Sequence, residues 1–241
     1  MIEYVAIDLE MTGLKVTQDR ILEIGAVKIR DGRMCEEFLS FVNPHRCLSR
    51  EIIKLTGITD EMVADAPEIE DVLEAFLSFC KDAVLIGHNL MFDYSFLKQN
   101  IVNLGMTYER RGIDTLKLAR ALLPEEEKKD LASLCVRFEI DRDHCHRALD
   151  DARACAEIFL RLREQFGSEN EKIFLPKPLH YKVKKRTPIT LAQKRDLNHL
   201  FIYHKIVPNM DISYLSRSEA SKLIDRIHKE YGRIPKEENE E

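Results

Sequence analysis

Five side chains in three separated stretches carry the chemistry open to this sequence. The first stretch is Val5-Ala6-Ile7-Asp8-Leu9-Glu10-Met11-Thr12-Gly13. The second is Gly87-His88-Asn89-Leu90-Met91-Phe92-Asp93, and the third is His146-Arg147-Ala148-Leu149-Asp150-Asp151-Ala152. Asp8 and Glu10 stand two apart in a strand-like run, so both side chains leave the same face. A carboxylate in an apolar run is costly unless it is paired or bound to metal. Two on one face repel each other, and a divalent cation removes that repulsion. Asp93 and Asp151 supply further oxygen donors. Together the four make an all-oxygen nest for two divalent cations, Mg²⁺ or Mn²⁺, which keep waters and hold phosphate oxygens. Such a pair orients and activates an attacking water and stabilises a leaving oxygen. His146 is placed as the base, because an imidazole ordinarily titrates at about 6.5 and can take a proton near neutral pH.

Each stretch alone has a plainer explanation. Asp8 and Glu10 suit a strand end with solvent-facing acids. Asp93 suits a first-turn acid favoured by the helix dipole, and His146 with Asp151 suits a helix N-cap cluster. The three in one chain are far more specific. Gly13 lets the backbone turn sharply, and with Met11, Thr12 and Leu14 it is a candidate substrate-contacting segment. His88 and Asn89 are candidates for substrate contact or for supporting the metal ligands. Asp150 should face away from the site that Asp151 enters.

The elements that must position these residues follow from hydrophobic period. Residues 3–9, 20–30 and 35–43 read as three strands, with Asp31-Gly32 as a hairpin turn, and should form an antiparallel meander. Residues 69–82 carry Ile69, Val72, Leu73, Phe76, Leu77 and Cys80 at helical spacing. Residues 83–86 form a short apolar strand into Gly87. Residues 91–104 read as a helix with Phe92, Phe96, Leu97 and Ile101 on one face, and 112–114 as a last short strand. Asp114 caps a helix through Leu122 that Pro124 ends. Residues 130–137 make another short helix, and 147–165 a long one stopping before Gly167. Strands followed by helix–strand alternation imply an α/β fold with a mixed sheet. Beyond Gly167 the character changes. Residues 168–189, with Pro176, Pro178, Pro188 and the Lys182–Arg186 cluster, read as a basic linker. Residues 190–206 and 216–231 read as two helices, the second with a Ser216/Glu219 capping box. The expected organisation is thus 1–167, 168–189 and 190–235.

The 241 residues carry a net charge of −5, unevenly spread. Residues 1–167 hold 22 Lys/Arg against 31 Asp/Glu, whereas 172–205 hold nine basic residues and one acidic. An acidic half that collects cations and a basic appendage that grips phosphates fit together. Residues 172–231, with Lys182, Lys184, Lys185, Arg186, Lys194 and Arg195, are therefore expected to hold a strand or a partner rather than to do chemistry. No apolar run reaches the ~18 residues of a membrane span, and no signal peptide opens the chain, so a cytoplasmic setting is expected. The six cysteines (35, 47, 80, 135, 145 and 155) include no CxxC pair and should be reduced thiols. Cys145 between His144 and His146 invites a zinc reading, but three adjacent residues converge poorly on one ion.

The three stretches, in this order and at these separations, resemble the DEDDh 3′–5′ exonucleases of the DnaQ-like group. That group includes the epsilon subunit of bacterial DNA polymerase III, the exonuclease segment of PolC-type polymerases, RNase T and oligoribonuclease. The resemblance spans about residues 2–166. Asp8 and Glu10 match its first motif, Asp93 the second, His146 and Asp151 the third, and His146 in place of a tyrosine selects the h branch. Leu55-Thr56-Gly57-Ile58-Thr59-Asp60-Glu61-Met62 also resembles the epsilon and PolC types. The likeness implies an RNase H-like sheet flanked by helices, two metal ions, and release of nucleoside 5′-monophosphates from 3′ ends. The first motif, with Met11, is spelled more like oligoribonuclease, and the second like epsilon or PolC. The C-terminal helices resemble a small module appended to bacterial nucleic-acid enzymes.

The reading is a metal-dependent 3′–5′ exonuclease on single-stranded or frayed DNA ends, proofreading or repairing in trans with a polymerase or replication partner. An exoribonuclease is the alternative enzyme. A non-catalytic nucleic-acid or polymerase-binding module is the alternative class.

Overall fold

The turn at Asp31-Gly32 sets the first half of the sheet. Both residues have positive φ, 53° and 74°, the conformation whose twist matches a two-residue hairpin. The computed structural model describes residues 3–141 and 146–234. In it the turn joins β2 (Ile21–Arg30) to β3 (Arg33–Phe41), and β1 (Tyr4–Met11) lies antiparallel to β2 on the other side. The expected meander is present. β4 (Val84–Gly87) runs parallel to β1, and β5 (Arg111–Asp114) runs parallel to β4. A two-residue β6 (Lys177–Pro178) closes the order β3-β2-β1-β4-β5-β6.

Helices cover both faces. After β3 come α1 (Arg50–Thr56), α2 (Asp60–Ala64) and α3 (Ile69–Cys80). α4 (Met91–Asn103) follows β4, and α5 (Thr115–Leu122), α6 (Leu131–Phe138) and α7 (Ala148–Phe166) follow β5. Strand alternation divides the core. Val5, Ile7 and Leu9 pack with residues of α3 and α4, such as Phe76 and Leu97. Tyr4 and Ala6 pack on the other face with Ala152, Cys155 and Phe159 of α7. β2 is therefore buried along both faces up to Ile29, which is why it lacks polar alternation.

Three parts of the sequence reading need correction. The short helices α1 and α2 were not expected, because seven and five residues give too little period to detect. They cover a separate small cluster of Leu22, Leu48, Ile58 and Val63. The third strand begins earlier than expected, at Arg33. Most importantly, much of the stretch taken as linker is built into the first compact unit, Met1–Pro44 with Leu48–Lys184. Phe174 and Leu179 are buried in its two cores. The Gln99 amide bonds the backbone of Lys184 in both directions, at 2.8 and 3.0 Å, as a strand edge would.

The second unit comprises His45–Cys47 and the chain from Lys185 onward. Its helices are α8 (Leu191–His204) and α9 (Arg217–Tyr231), both opened by capping boxes, Thr190 with Gln193 and Ser216 with Glu219. Ile189, Leu197, Leu200, Phe201, Leu215, Ala220 and Ile227 form its core. Glu219 pairs with Arg46 at 3.6 Å and Arg186 at 3.3 Å, and the His45 and Tyr214 rings stack at 3.4 Å.

α7 crosses the sheet at very short range. A Cβ on Gly25 would lie 2.2 Å from the carbonyl carbon of Ala148, so the first residue of α7 occupies the space a side chain would take. Gly25→Ala must push α7 off β2. A loss of about 3 kcal/mol is expected, which for a chain of this size lowers Tm by roughly 6–12 °C. An unchanged melting curve would show that α7 is not seated on that glycine.

Candidate active site

The site is built on one face of one strand. Tyr4 and Ala6 of β1 face α7, and Asp8 and Glu10 continue that alternation. Their antiparallel partners on β2 are Gly25 and Glu23. Gly25 makes room for α7, and Glu23 holds its end.

Glu23 is fully buried. Its carboxylate accepts from Arg147 Nη2 at 2.7 Å, from Arg147 Nε at 3.2 Å to each oxygen, and from the Ala148 N–H at 2.9 Å. The Arg147 guanidinium also lies over the Phe41 ring, 5.4 Å from its centre. This clamp pins the first turn of α7, from which buried Asp151 projects. Immediately before it, exposed His146 adopts a left-handed φ of 61°. The ligand atoms of Glu10, His146 and Asp151 all lie within 4.8 Å of one another, the one such group of acids, histidines and cysteines among the described residues. Asp8 and Asp93 stand outside that close group. Asp150 turns to Arg153 at 2.9 Å, as expected of the neighbour that faces away.

Asp93 arrives from the opposite side of the sheet. β4 pairs with β1 only along Tyr4–Ala6, so the far half of β1 is open on that edge. Asp93, buried in the first turn of α4, accepts from its own N–H and from that of Leu9, between Asp8 and Glu10. It is therefore both a first-turn helix acid and a neighbour of the β1 acids. The site sits where the parallel strands β1 and β4 end, the usual crevice of an open α/β sheet.

The carboxylates strain against each other. Burial, then the charges of Asp151, Glu23 and Asp93, push Glu10 from 4.5 to about 8, and Arg147 opposes this. Burial and the charge of Asp114 raise Asp93 to about 7, against the two N–H bonds it accepts. The buried Cys155 thiol is raised by desolvation, eased by its contact with Thr115, and raised further by Asp8, Asp93 and Asp114. Asp8 and Asp93 thus act on one thiol of α7. Burying Glu10, Asp93 and Asp151 with so little positive charge beside them is costly, and Glu10, His146 and Asp151 form a candidate site for a divalent cation.

The candidate substrate-contacting residues fall in two loops. Met11 ends β1, and the chain then turns through Thr12, Gly13 and Leu14. Asp19 organises this turn: it accepts from the Lys15 N–H at 2.7 Å and the Thr12 hydroxyl at 3.4 Å. A Cβ on Gly13 would lie 2.6 Å from the Asp19 carboxylate. Close approach, rather than a special φ, accounts for that glycine. Leu14 is 79% exposed. His88 is half-buried and bonds Thr115 Oγ1 at 3.0 Å through Nδ1, and burial lowers its pKa. Asn89 is exposed, with φ of 69°, and its N–H bonds Asp114 at 3.2 Å. His144 and Cys145 lie outside the described residues; the five cysteines within them are free thiols.

The sequence model of the exonuclease family matches residues 5–159, which include all three acidic stretches through Asp151. The chain belongs to the exonuclease family. The exonuclease is 41% identical over 202 residues to the PolC-type DNA polymerase III of Caldanaerobacter subterraneus subsp. tengcongensis, covering 84% of this chain and 14% of that protein. With the PolC-type polymerase of Clostridium perfringens it is 35% identical over 242 residues, 97% of this chain and 16% of the relative. The chain thus spans only about a sixth or less of these relatives' length. Among solved structures, exonuclease X in complex with 5′ overhanging duplex DNA shares 29% identity, with a TM-score of 0.58 over 72% of this chain and 97% of that one. These likenesses put the exonuclease in the DnaQ-like group, with an RNase H-like mixed sheet. No described helix is long and apolar enough to cross a membrane.

Glu23 and Gly25 escaped the sequence reading. The signal was there for Glu23: a carboxylate between Leu22 and Ile24 in an apolar strand is as costly as Asp8 or Glu10. Glu23→Ala leaves Arg147 and a helix-end N–H without their acceptor. A loss of about 3 kcal/mol is expected, together with a fall in nuclease rate although Glu23 lies on the neighbouring strand, opposite Glu10. Glu23→Gln, which keeps an acceptor for Ala148, should recover part of both. Full rate in Glu23→Ala would show that the clamp positions nothing.

The raised carboxylates make stability depend on pH. In the metal-free chain the folded state keeps protons on Glu10 and Asp93 that the unfolded state releases. Their contribution to stability is therefore present below about pH 4 and is lost as pH rises through about 7–8. Divalent cations must displace the same protons. The gain in Tm on adding Mn²⁺ is expected to grow between about pH 5.5 and pH 8, read by thermal melts with and without EDTA. A gain independent of pH would exclude these two acids as ligands.

Proposed function

We propose that this exonuclease removes nucleoside 5′-monophosphates stepwise from the 3′ ends of single-stranded or frayed DNA. The observation that carries the reading is the convergence of Glu10, His146 and Asp151 within 4.8 Å on the β1 face that also bears Asp8. Asp8, Glu10, Asp93 and Asp151 would hold two divalent cations, Mg²⁺ or Mn²⁺. When bound, these supply Lewis-acid activation of water and stabilisation of the leaving oxygen. His146 takes the proton of the attacking water as its oxygen bonds the terminal phosphorus. The P–O3′ bond of the preceding nucleotide breaks, and that oxygen is reprotonated. Exposure leaves the imidazole open to the water, and the Glu23–Arg147 clamp fixes the backbone on which it turns. Met11, Thr12, Gly13 and Leu14 flank the terminal nucleotide, with Leu14 offering an apolar surface to a base. His88 and Asn89 contact the strand from the β4 side.

The likeness to PolC-type polymerases supports a replicative setting in the cytoplasm, with proofreading or repair done in trans beside a polymerase. Met11 after Glu10, the spelling that resembles oligoribonuclease, favours RNA as the second reading. Digestion of DNA and RNA oligomers labelled at either end separates these. Mononucleotides should appear from the 3′ end, from DNA faster than RNA, and only with Mg²⁺ or Mn²⁺. Absence of metal-dependent release would leave a non-catalytic binding module. His146→Ala should lower the rate by a factor on the order of 10²–10⁴ with strand and metal binding retained. Asp8→Ala should lose rate and metal affinity together. A His146→Ala enzyme at full rate would end the base assignment.

A further inference from the structure

The second unit leaves three tyrosines on its surface, and one of them, Tyr214, is stacked on His45. Phe201 belongs to the core at 8% exposed, but Tyr203 and Tyr231 are 51% and 54% exposed. His204 lies between them. Its ring meets Tyr203 edge-on at 4.9 Å and 84°, and meets Tyr231 at 5.5 Å and 43°. Its Nε2 is buried with no partner among the described residues. Three rings thus form one cluster whose outer two face water, although two apposed helices could have buried them.

The surroundings are basic and accessible. Arg195, His199 and Tyr203 stand four apart along α8, on one line, and all are exposed. Lys205 ends that helix in a left-handed conformation, also exposed. Residues 185–234 hold ten Lys/Arg against five Asp/Glu. The basic cluster singled out in the sequence is less available. Arg186 is committed to the Tyr214 carbonyl at 2.5 Å and to Glu219 at 3.3 Å.

We propose that Tyr203 and Tyr231, set around His204, are a stacking platform for the bases of a single-stranded polynucleotide, with Lys205 at the end of α8 and Arg195 about two turns back along it for the phosphates. Every base has a π-face, so such a platform holds a strand without reading its sequence. The positive balance of the unit favours a polyanion over the competing occupant, an apolar protein surface docking on exposed Ile202 and Val207. The inference rests on the reading of this chain as an enzyme of polynucleotide ends, but its test does not depend on cleavage.

Binding is measured on the full chain in EDTA, with 5′-labelled oligodeoxythymidylates of about 4 and about 30 nucleotides and an oligouridylate arm. Tyr203→Leu and Tyr231→Leu should each weaken binding of the long strand about tenfold, while the salt slope stays as it was. Tyr203→Phe, which keeps the ring, should bind as the parent does and controls for folding. Arg195→Ala with Lys205→Ala should instead make the salt slope shallower. The chain has no tryptophan, so Tyr203→Trp places a lone reporter whose fluorescence should be quenched by oligodeoxythymidylate. Equal affinity in the leucine variants, or an unquenched Trp, overturns the platform and leaves the surface to a protein. Stronger quenching by oligouridylate keeps the platform and assigns it to RNA. Quenching without metal-dependent cleavage supports the platform while ending the proposed function. Cleavage of the short strand should be unchanged in both leucine variants.

Discussion

A helix end buried against a sheet needs acceptors for its N–H groups, and in this fold a single carboxylate meets that need. Glu23 takes the first N–H of α7 and the Nε–Nη2 edge of the Arg147 guanidinium. The positive end of the helix dipole adds to the attraction. Burying the Glu23 charge is costly, and only this set of bonds offsets it. The site depends on the result. Asp151 reaches Glu10 because α7 starts where it does, and His146 turns into the site because Arg147, next in the chain, is held. Gly25 completes the arrangement by removing the one Cβ that would keep the helix away.

The sheet supplies the other half of the geometry. Alternation along β1 gives Asp8 and Glu10 the face under α7, yet Asp93 comes from α4, which packs on the opposite face. The two sides meet only because β4 stops pairing with β1 at Ala6. Beyond that point the strand edge is open, and the Leu9 N–H donates to the Asp93 carboxylate instead. A longer β4 would satisfy Leu9 within the sheet and keep Asp93 out. The shortness of β4 is thus part of the site. The raised Glu10 and Asp93 record first how deeply this geometry buries them, and then the carboxylates set near them.

How far the sequence discloses this varies by element. The meander, the caps at Asp114 and Ser216 and the helix α7 are local: each is written in turn chemistry, capping or a long period. Asp8, Glu10, Asp93, His146 and Asp151 are visible because unusual residue types stand at strand and helix ends. Glu23 stands in the same kind of context and was passed over, because a single acid suggests no partner until β2 is paired with β1. Gly25 is invisible for a related reason, since its meaning lies in a helix more than a hundred residues away. Residues 168–184 looked like linker because prolines and charges dominate them. Their place in the first unit comes from Phe174 and Leu179 buried in its cores, from β6 paired on β5 and from the Gln99 amide holding Lys184 like a strand edge, and no local pattern announces these.

The same charges that make the site also set a problem for it. Residues 1–167 carry nine more acidic than basic residues, and a polyanionic substrate is repelled by such a surface at range. Bound cations cancel the field only locally, since it is screened within about 10 Å in ordinary salt. Retention of a strand beyond its terminal nucleotides therefore needs positive charge or uncharged contacts elsewhere in the chain. The first is in excess over residues 172–205, although Arg186 shows that part of it is consumed in holding the second unit together. Exposed rings provide the second, and they have an advantage the lysines lack: stacking does not weaken with salt as phosphate contacts do. Under the proposed platform, Tyr203 and Tyr231 would hold the strand by its bases where an acidic centre repels its phosphates, since Tyr214 is already stacked on His45.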